Sequence, residues 1–66
     1  MLPEKLKELR EERGLSTTKL ARELNLGNYT VNRWESGLQK PNAEYIAKLC
    51  IFFGCTADFL LGLKDE

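Results

Sequence analysis

Four polar side chains crowd the stretch TTKLARELNLGNYTVNRWES, residues 17 to 36: the amides of Asn28 and Asn32, the phenol of Tyr29 and the guanidinium of Arg33. On a helix these positions share one face, because residues three and four apart are neighbours there. Val31 and Trp34, three apart, take the opposite side and predict its buried back. An amide pairs a donor with an acceptor, and a guanidinium is a planar fork of donors. Both match the base edges displayed in the major groove of DNA, so a short helix built this way suits insertion into that groove. The plainer reading of the same residues is an ordinary solvated face.

Catalytic chemistry has little to work with. The chain has no His, and neither Cys50 nor Cys55 has a base beside it in sequence. Ser16 and Ser36 read as helix-cap residues, and no glycine-rich phosphate loop is present. The carboxylates stand in helical register with basic residues, which is surface charge pairing. An enzyme is not expected. Two cysteines without histidine fall short of the four ligands of a structural zinc site, so no metal and no cofactor is expected. Both cysteines are expected to be reduced, buried small hydrophobes.

The elements that must position the four polar residues follow from the apolar pattern. Pro3 is suited to the first position of a helix in which Leu2, Leu6 and Leu9 repeat at spacings of four and three. That helix is predicted to end near Arg13, with Gly14 in the left-handed cap position. Its charges are expected to form a solvated face, Arg10 excepted. Ser16 is a good N-cap for a second helix carrying Leu20, Ala21 and Leu24. Leu15 before the cap and Leu20 beyond it form a hydrophobic staple that sets the angle between the two helices. A tight turn at Asn25, Leu26 and Gly27 leads to a third helix starting about Asn28, with Gly27 as a weak cap, and ending at Gly37. Asn42 can cap a fourth helix with the stripe Ala43, Ile46, Leu49, Cys50 and Phe53, closed by Gly54. Thr56 can cap a last turn, Ala57 to Leu61, before Gly62. The expectation is an all-α, five-helix domain spanning residues 1–66, with connections of about two to five residues.

Bulk properties set limits around this. Sixty-six residues with 42% hydrophobic content make one domain with a single small core. A chain of this length buries only about 60% of its unfolded surface, so stability is modest. Net charge is zero, a mild argument against nucleic acid, but the distribution is uneven. Residues 1 to 13 balance. Residues 14 to 41 carry a surplus of two positive charges (Lys19, Arg22, Arg33 and Lys40 against Glu23 and Glu35), and residues 42 to 66 a deficit of two. The positive end therefore holds the candidate reading surface. No apolar run approaches the roughly 20 residues of a membrane span and nothing resembles a signal peptide, so no membrane partner and a cytoplasmic protein are expected.

The run Gly14-Leu15-Ser16, Leu20-Ala21, Leu24, Val31, Arg33-Trp34-Glu35, Gly37 and Pro41 resembles the phage Cro/repressor-type (Cro/C1, XRE) helix-turn-helix domain. The segment Phe53 to Gly62 looks like that family's closing helix, so the resemblance covers essentially the whole chain. It implies a helix-turn-helix at about residues 17–36 and a recognition helix, about 28–36, in the DNA major groove. It also implies Asn28, Tyr29 and Arg33 at base edges, with Asn32 beside them; Thr17 and Thr18, at the start of the second helix, and Lys40, in the loop after the recognition helix, are the candidate contacts to the DNA backbone. Lys19 and Arg22 are weaker backbone candidates. Many relatives have Gln where this chain has Thr17. A shorter side chain keeps a phosphate contact feasible but not the bracing of Asn28.

Glu35, in the last turn of its helix, opposes the helix dipole and would be repelled by phosphates. Arg10 lies at the edge of the first helix's apolar stripe. Pairing the two answers both problems, and the resemblance implies the same pair: a partly buried, bidentate salt bridge between the first and third helices. The functional expectation is a sequence-specific, repressor-like regulator binding a double-stranded DNA operator as a homodimer, with no small-molecule ligand evident. Phe52, Phe59 and Leu63 are the candidate dimer surface. The competing expectation is a protein-interaction module, antitoxin-like or anti-repressor-like, that keeps the fold and binds little or no DNA.

Overall fold

The computed structural model describes residues 1 to 64; Asp65 and Glu66, counted in the charge balance above, lie outside the described residues. The described residues form five helices and no strand: α1 (Leu2–Glu12), α2 (Thr17–Glu23), α3 (Thr30–Ser36), α4 (Ala43–Phe53) and α5 (Ala57–Leu60). α3 packs against both α1 and α2, while α5 packs against α4 and α1. Where they converge, Leu6, Leu20, Ala21, Val31, Leu49 and Leu60 are completely buried, and Trp34 and Phe53 nearly so.

Each helix start has a local cause. Pro3 falls in the first turn of α1, where its missing N–H leaves no bond unmade. The Ser16 hydroxyl accepts the Lys19 N–H at 3.0 Å, the Asn42 side chain accepts that of Tyr45 at 2.9 Å, and the Thr56 hydroxyl that of Phe59 at 3.1 Å. Gly14, at φ +67°, lets the chain turn back at the end of α1, so that the N–H of Leu15 reaches the Arg10 carbonyl at 3.2 Å.

Several expectations need correction. α3 begins at Thr30, not Asn28. The Thr30 N–H closes a tight turn onto the Gly27 carbonyl (3.1 Å), and regular i→i−4 bonding begins only with Arg33 N–H to Tyr29 O (3.0 Å). Asn28 and Tyr29 therefore belong to the turn, and the connections run from three residues, 54–56, to six, 24–29 and 37–42. On α4, Ala43 is exposed. Tyr45, not in the expected stripe, is half-buried against the core, its ring 5.6 Å from that of Trp34 at a tilt of 47°. Leu61 is the cap residue after α5 rather than part of it. The cysteines are half-buried, with the Cys55 N–H on the Cys50 carbonyl at 3.0 Å across the end of α4. Burial pushes the Cys50 thiol above its usual range, with a smaller contribution from Cys55.

The charges of α1 and of its cap residue, Arg13, are more than a wet face. Arg13 Nη2 donates to the Phe53 carbonyl at 3.3 Å, and its guanidinium lies 5.5 and 5.4 Å from the Phe52 and Phe53 rings. This one side chain closes the end of α4 and ties it to α1. Lys5 sits 4.6 Å over the Phe59 ring. One turn further along each element, the Met1 backbone lies so close to Gly62 that a Cβ there would stand 2.5 Å from the Met1 nitrogen. Met1 also borders a cleft of about 280 Å³ walled by Trp34, Gln39, Lys40, Pro41 and Ile46.

Candidate nucleic-acid interface

α2 and α3 are joined by a left-handed turn whose centre is Asn25, at φ +61°. With Asn25 in that conformation, the Leu26 N–H reaches the Ala21 carbonyl at 2.8 Å and that of Asn25 reaches Arg22 at 3.1 Å. This closes the open end of α2 and swings the chain into α3. Asn tolerates the left-handed region better than other residues that carry a Cβ. Gly27 does not have positive φ, and its role is confined to accepting the Thr30 N–H.

α3 is anchored from behind by Val31, fully buried, and Trp34, 2% exposed. In front, Asn28, Tyr29, Asn32 and Arg33 are all exposed, Tyr29 to 72%. Two of them stand on the helix proper and two on the turn leading into it, so the polar face begins before the helix does. Thr17 and Thr18 are half-buried in the first turn of α2, and Lys40 is exposed in the connection after α3. Lys19 is occupied by Glu23 in a loose i, i+4 pair at 3.8 Å.

Behind this surface, Arg10 and Glu35 meet as a fork. Arg10 Nε and Nη2 donate to the two carboxylate oxygens of Glu35 at 2.7 and 3.0 Å, and Nη1 donates to the Leu15 carbonyl at 2.7 Å. Both side chains are mostly covered, at 12% and 9% exposure. The hydrogen bonds and charge of Glu35 outweigh burial and hold the Arg10 guanidinium above its ordinary, already very high value, so it stays charged at any working pH. The Arg10 side chain thus links α1, α3 and Leu15 of the α1–α2 connection.

Sequence reasoning missed Gln39 and Leu38. Gly37, at φ +81°, ends α3 in a turn that directs the N–H groups of Leu38 and Gln39 onto the Arg33 carbonyl, at 3.1 and 3.3 Å. The Gln39 side-chain oxygen then accepts the Arg33 Nε–H at 3.1 Å. Leu38 is left 80% exposed. The glycine at the end of a polar helix was the available signal. Such a turn brings the two following residues back over the last turn of the helix.

Among the described residues no group of three or more His, Cys, Asp or Glu is placed to hold a metal ion, and no buried side-chain polar atom lacks a partner. No helix among them is long and apolar enough to cross a membrane.

These features, a capped helix, a left-handed turn and a second helix anchored by Trp34, define a helix-turn-helix protein. The family model described as "Helix-turn-helix" matches residues 6–60, and the chain belongs to this family, of the Cro/repressor (XRE) type. It is 34% identical over 65 residues to the HTH-type transcriptional regulator ImmR of Bacillus subtilis (strain 168), covering 98% of this chain and 50% of that protein. It is 38% identical over 62 residues to the HTH-type transcriptional activator BcrR of Enterococcus faecalis, covering 94% and 30%. It is 35% identical over 54 residues to the cryptic phage CTXphi transcriptional repressor RstR of Vibrio cholerae, covering 82% and 49%. The chain thus spans about half the length, or less, of these relatives.

Proposed function

We propose that this chain is a sequence-specific, repressor-like transcriptional regulator of double-stranded DNA, with α3 in the major groove of an operator and α2 across its backbone. The observation that carries this reading is the two-sidedness of α3: Val31 and Trp34 are held in the core while Asn32 and Arg33, with Asn28 and Tyr29 just ahead, stand in solvent. Arg33 suits a guanine and the amides suit adenine, each good pair contributing about 1–3 kcal/mol of discrimination. Thr17, Thr18 and Lys40 serve as phosphate contacts, which fix register without reading sequence. Arg10 holds Glu35 away from the phosphates and sets the angle of α3 against α1.

One such surface reads few base pairs. We therefore place two copies on a two-fold related operator, with half-site centres about 34 Å apart. Phe52, Phe59 and Leu63 would form the contact between copies. Relatives named as a repressor and as an activator leave the sign of regulation open to either. The reading needs no metal or cofactor and places the protein in the cytoplasm.

Selection of bound duplexes from a random pool tests this directly, and a palindromic winner supports both the function and the stoichiometry. On that winner, affinity should fall steeply as salt rises. Arg33→Ala should relax base preference at one position, whereas Lys40→Ala should weaken all duplexes alike and flatten the salt slope. Equal, feeble binding to every duplex, insensitive to Arg33→Ala, would instead favour a protein-interaction module on the same fold.

A further inference from the structure

We propose that Gln39 is a positioning residue for base recognition: it holds Arg33 through Nε, so that the guanidinium offers its two terminal nitrogens end-on to a guanine. The inference rests on the DNA-reading function proposed above and adds to it a determinant of specificity outside the recognition helix.

The geometry is a closed ring. The Gln39 N–H is bonded to the Arg33 carbonyl at 3.3 Å, and the Gln39 side-chain oxygen accepts the Arg33 Nε–H at 3.1 Å. The main-chain half of the ring is braced further, because the same carbonyl accepts the Leu38 N–H and the Ser36 hydroxyl, each at 3.1 Å. Gly37, at φ +81°, makes this return of the chain possible. The backbone of residue 39 is therefore fixed relative to Arg33, and only the two side chains remain to be ordered. The orientation of the amide follows from chemistry: Nε–H is a donor and cannot accept, so the group facing it is the oxygen.

Two consequences follow for recognition. A guanidinium can address the O6/N7 edge of guanine either through its two terminal nitrogens or sideways through Nε and one of them. With Nε taken, only the first approach remains. The acceptor is also neutral. Arg10 engages the neighbouring carboxylate, Glu35, and no salt bridge among the described residues involves Arg33. An amide orients Arg33 without cancelling the charge that attracts it to DNA, which a carboxylate at residue 39 would do.

The test uses the intact chain with two duplexes: the selected operator, and one in which the base whose preference is lost in Arg33→Ala is changed. Gln39→Met keeps the length of the side chain and removes the acceptor; Gln39→Glu restores an acceptor. Gln39→Met should lower the preference for the cognate base at that position roughly tenfold, within the span that one bidentate contact supplies. Salt slope and thermal midpoint should stay unchanged. In the Arg33→Ala background the same replacement should change the preference no further. Gln39→Glu should recover most of the preference while weakening every duplex. In the free protein, the Arg33 Nε–H proton should exchange with water more slowly than after Gln39→Met. A preference untouched by Gln39→Met overturns the proposal, as does a uniform loss on all duplexes with a shallower salt slope, which would make Gln39 a phosphate contact. If the unaltered chain shows no base preference at all, the DNA-reading function fails and this inference with it.

Discussion

At the scale of single residues, Arg10 carries more bonds than any other side chain among the described hydrogen bonds, and all three of its contacts are lost together if it is truncated. Replacing Arg10 by Met should cost about 2–3 kcal/mol, mainly because the Glu35 carboxylate is left covered and unpaired. Replacing both residues by apolar side chains should cost less than Arg10→Met alone, and urea unfolding of the four proteins measures the difference. A double replacement as costly as the sum of the two singles would show that the pair contributes nothing as a pair. This residue pair could be reasoned from sequence, since Glu35 stands at the wrong end of a helix dipole and Arg10 at the edge of an apolar stripe. The Arg33–Gln39 pair could not be reached the same way. It joins a helix to a loop, where no period exists to follow, and it depends on how Gly37 turns the chain.

At the scale of elements, the turn between α2 and α3 sets the direction of the reading helix, and its conformation rests on Asn25 rather than on the glycine two residues later. Asn25→Ala should cost about 1–2 kcal/mol, the steric penalty for an ordinary side chain in the left-handed region, while Asn25→Gly should be nearly neutral. Gly27→Ala should be mild, because a Cβ there meets only the Thr30 hydroxyl at 3.4 Å. Thermal midpoints of the three variants rank them, and a Gly27→Ala more damaging than Asn25→Ala would return the turn to Gly27. Caps and apolar spacing made the order and number of helices legible: Ser16, Asn42 and Thr56 each precede a helix and each accepts the third N–H beyond it. The start of α3 was not legible. No side chain caps it, and the polar residues of the turn continue the same pattern as those of the helix. On α4 the stripe read from spacing missed Tyr45, because a tyrosine can serve a core with its ring and solvent with its hydroxyl.

At the scale of the molecule, two of the three residues proposed for the contact between copies are already engaged within the chain. Phe52 lies edge-on to Phe53 at 5.0 Å and under Arg13, and Phe59 lies under Lys5. Leu63, 71% exposed, and Ile51, 82% exposed and not anticipated from sequence, still have apolar surface to bury. Leu63→Lys should therefore leave the thermal midpoint of the free chain within about 2 °C, as expected of a surface replacement. It should weaken binding to a two-fold operator at least about tenfold, if two copies share that site. Sedimentation with and without duplex checks both parts. Unchanged affinity and unchanged two-copy stoichiometry would place the contact elsewhere.

The approach of Met1 to Gly62 has a practical side. Because Met1 also borders the cleft beside Gln39 and Lys40, anything attached to the amino group emerges next to the loop proposed to touch phosphate. A purification tag left there is thus not inert: a histidine or lysine tag would add attraction for any duplex and blur discrimination, and an acidic one would depress binding across the board.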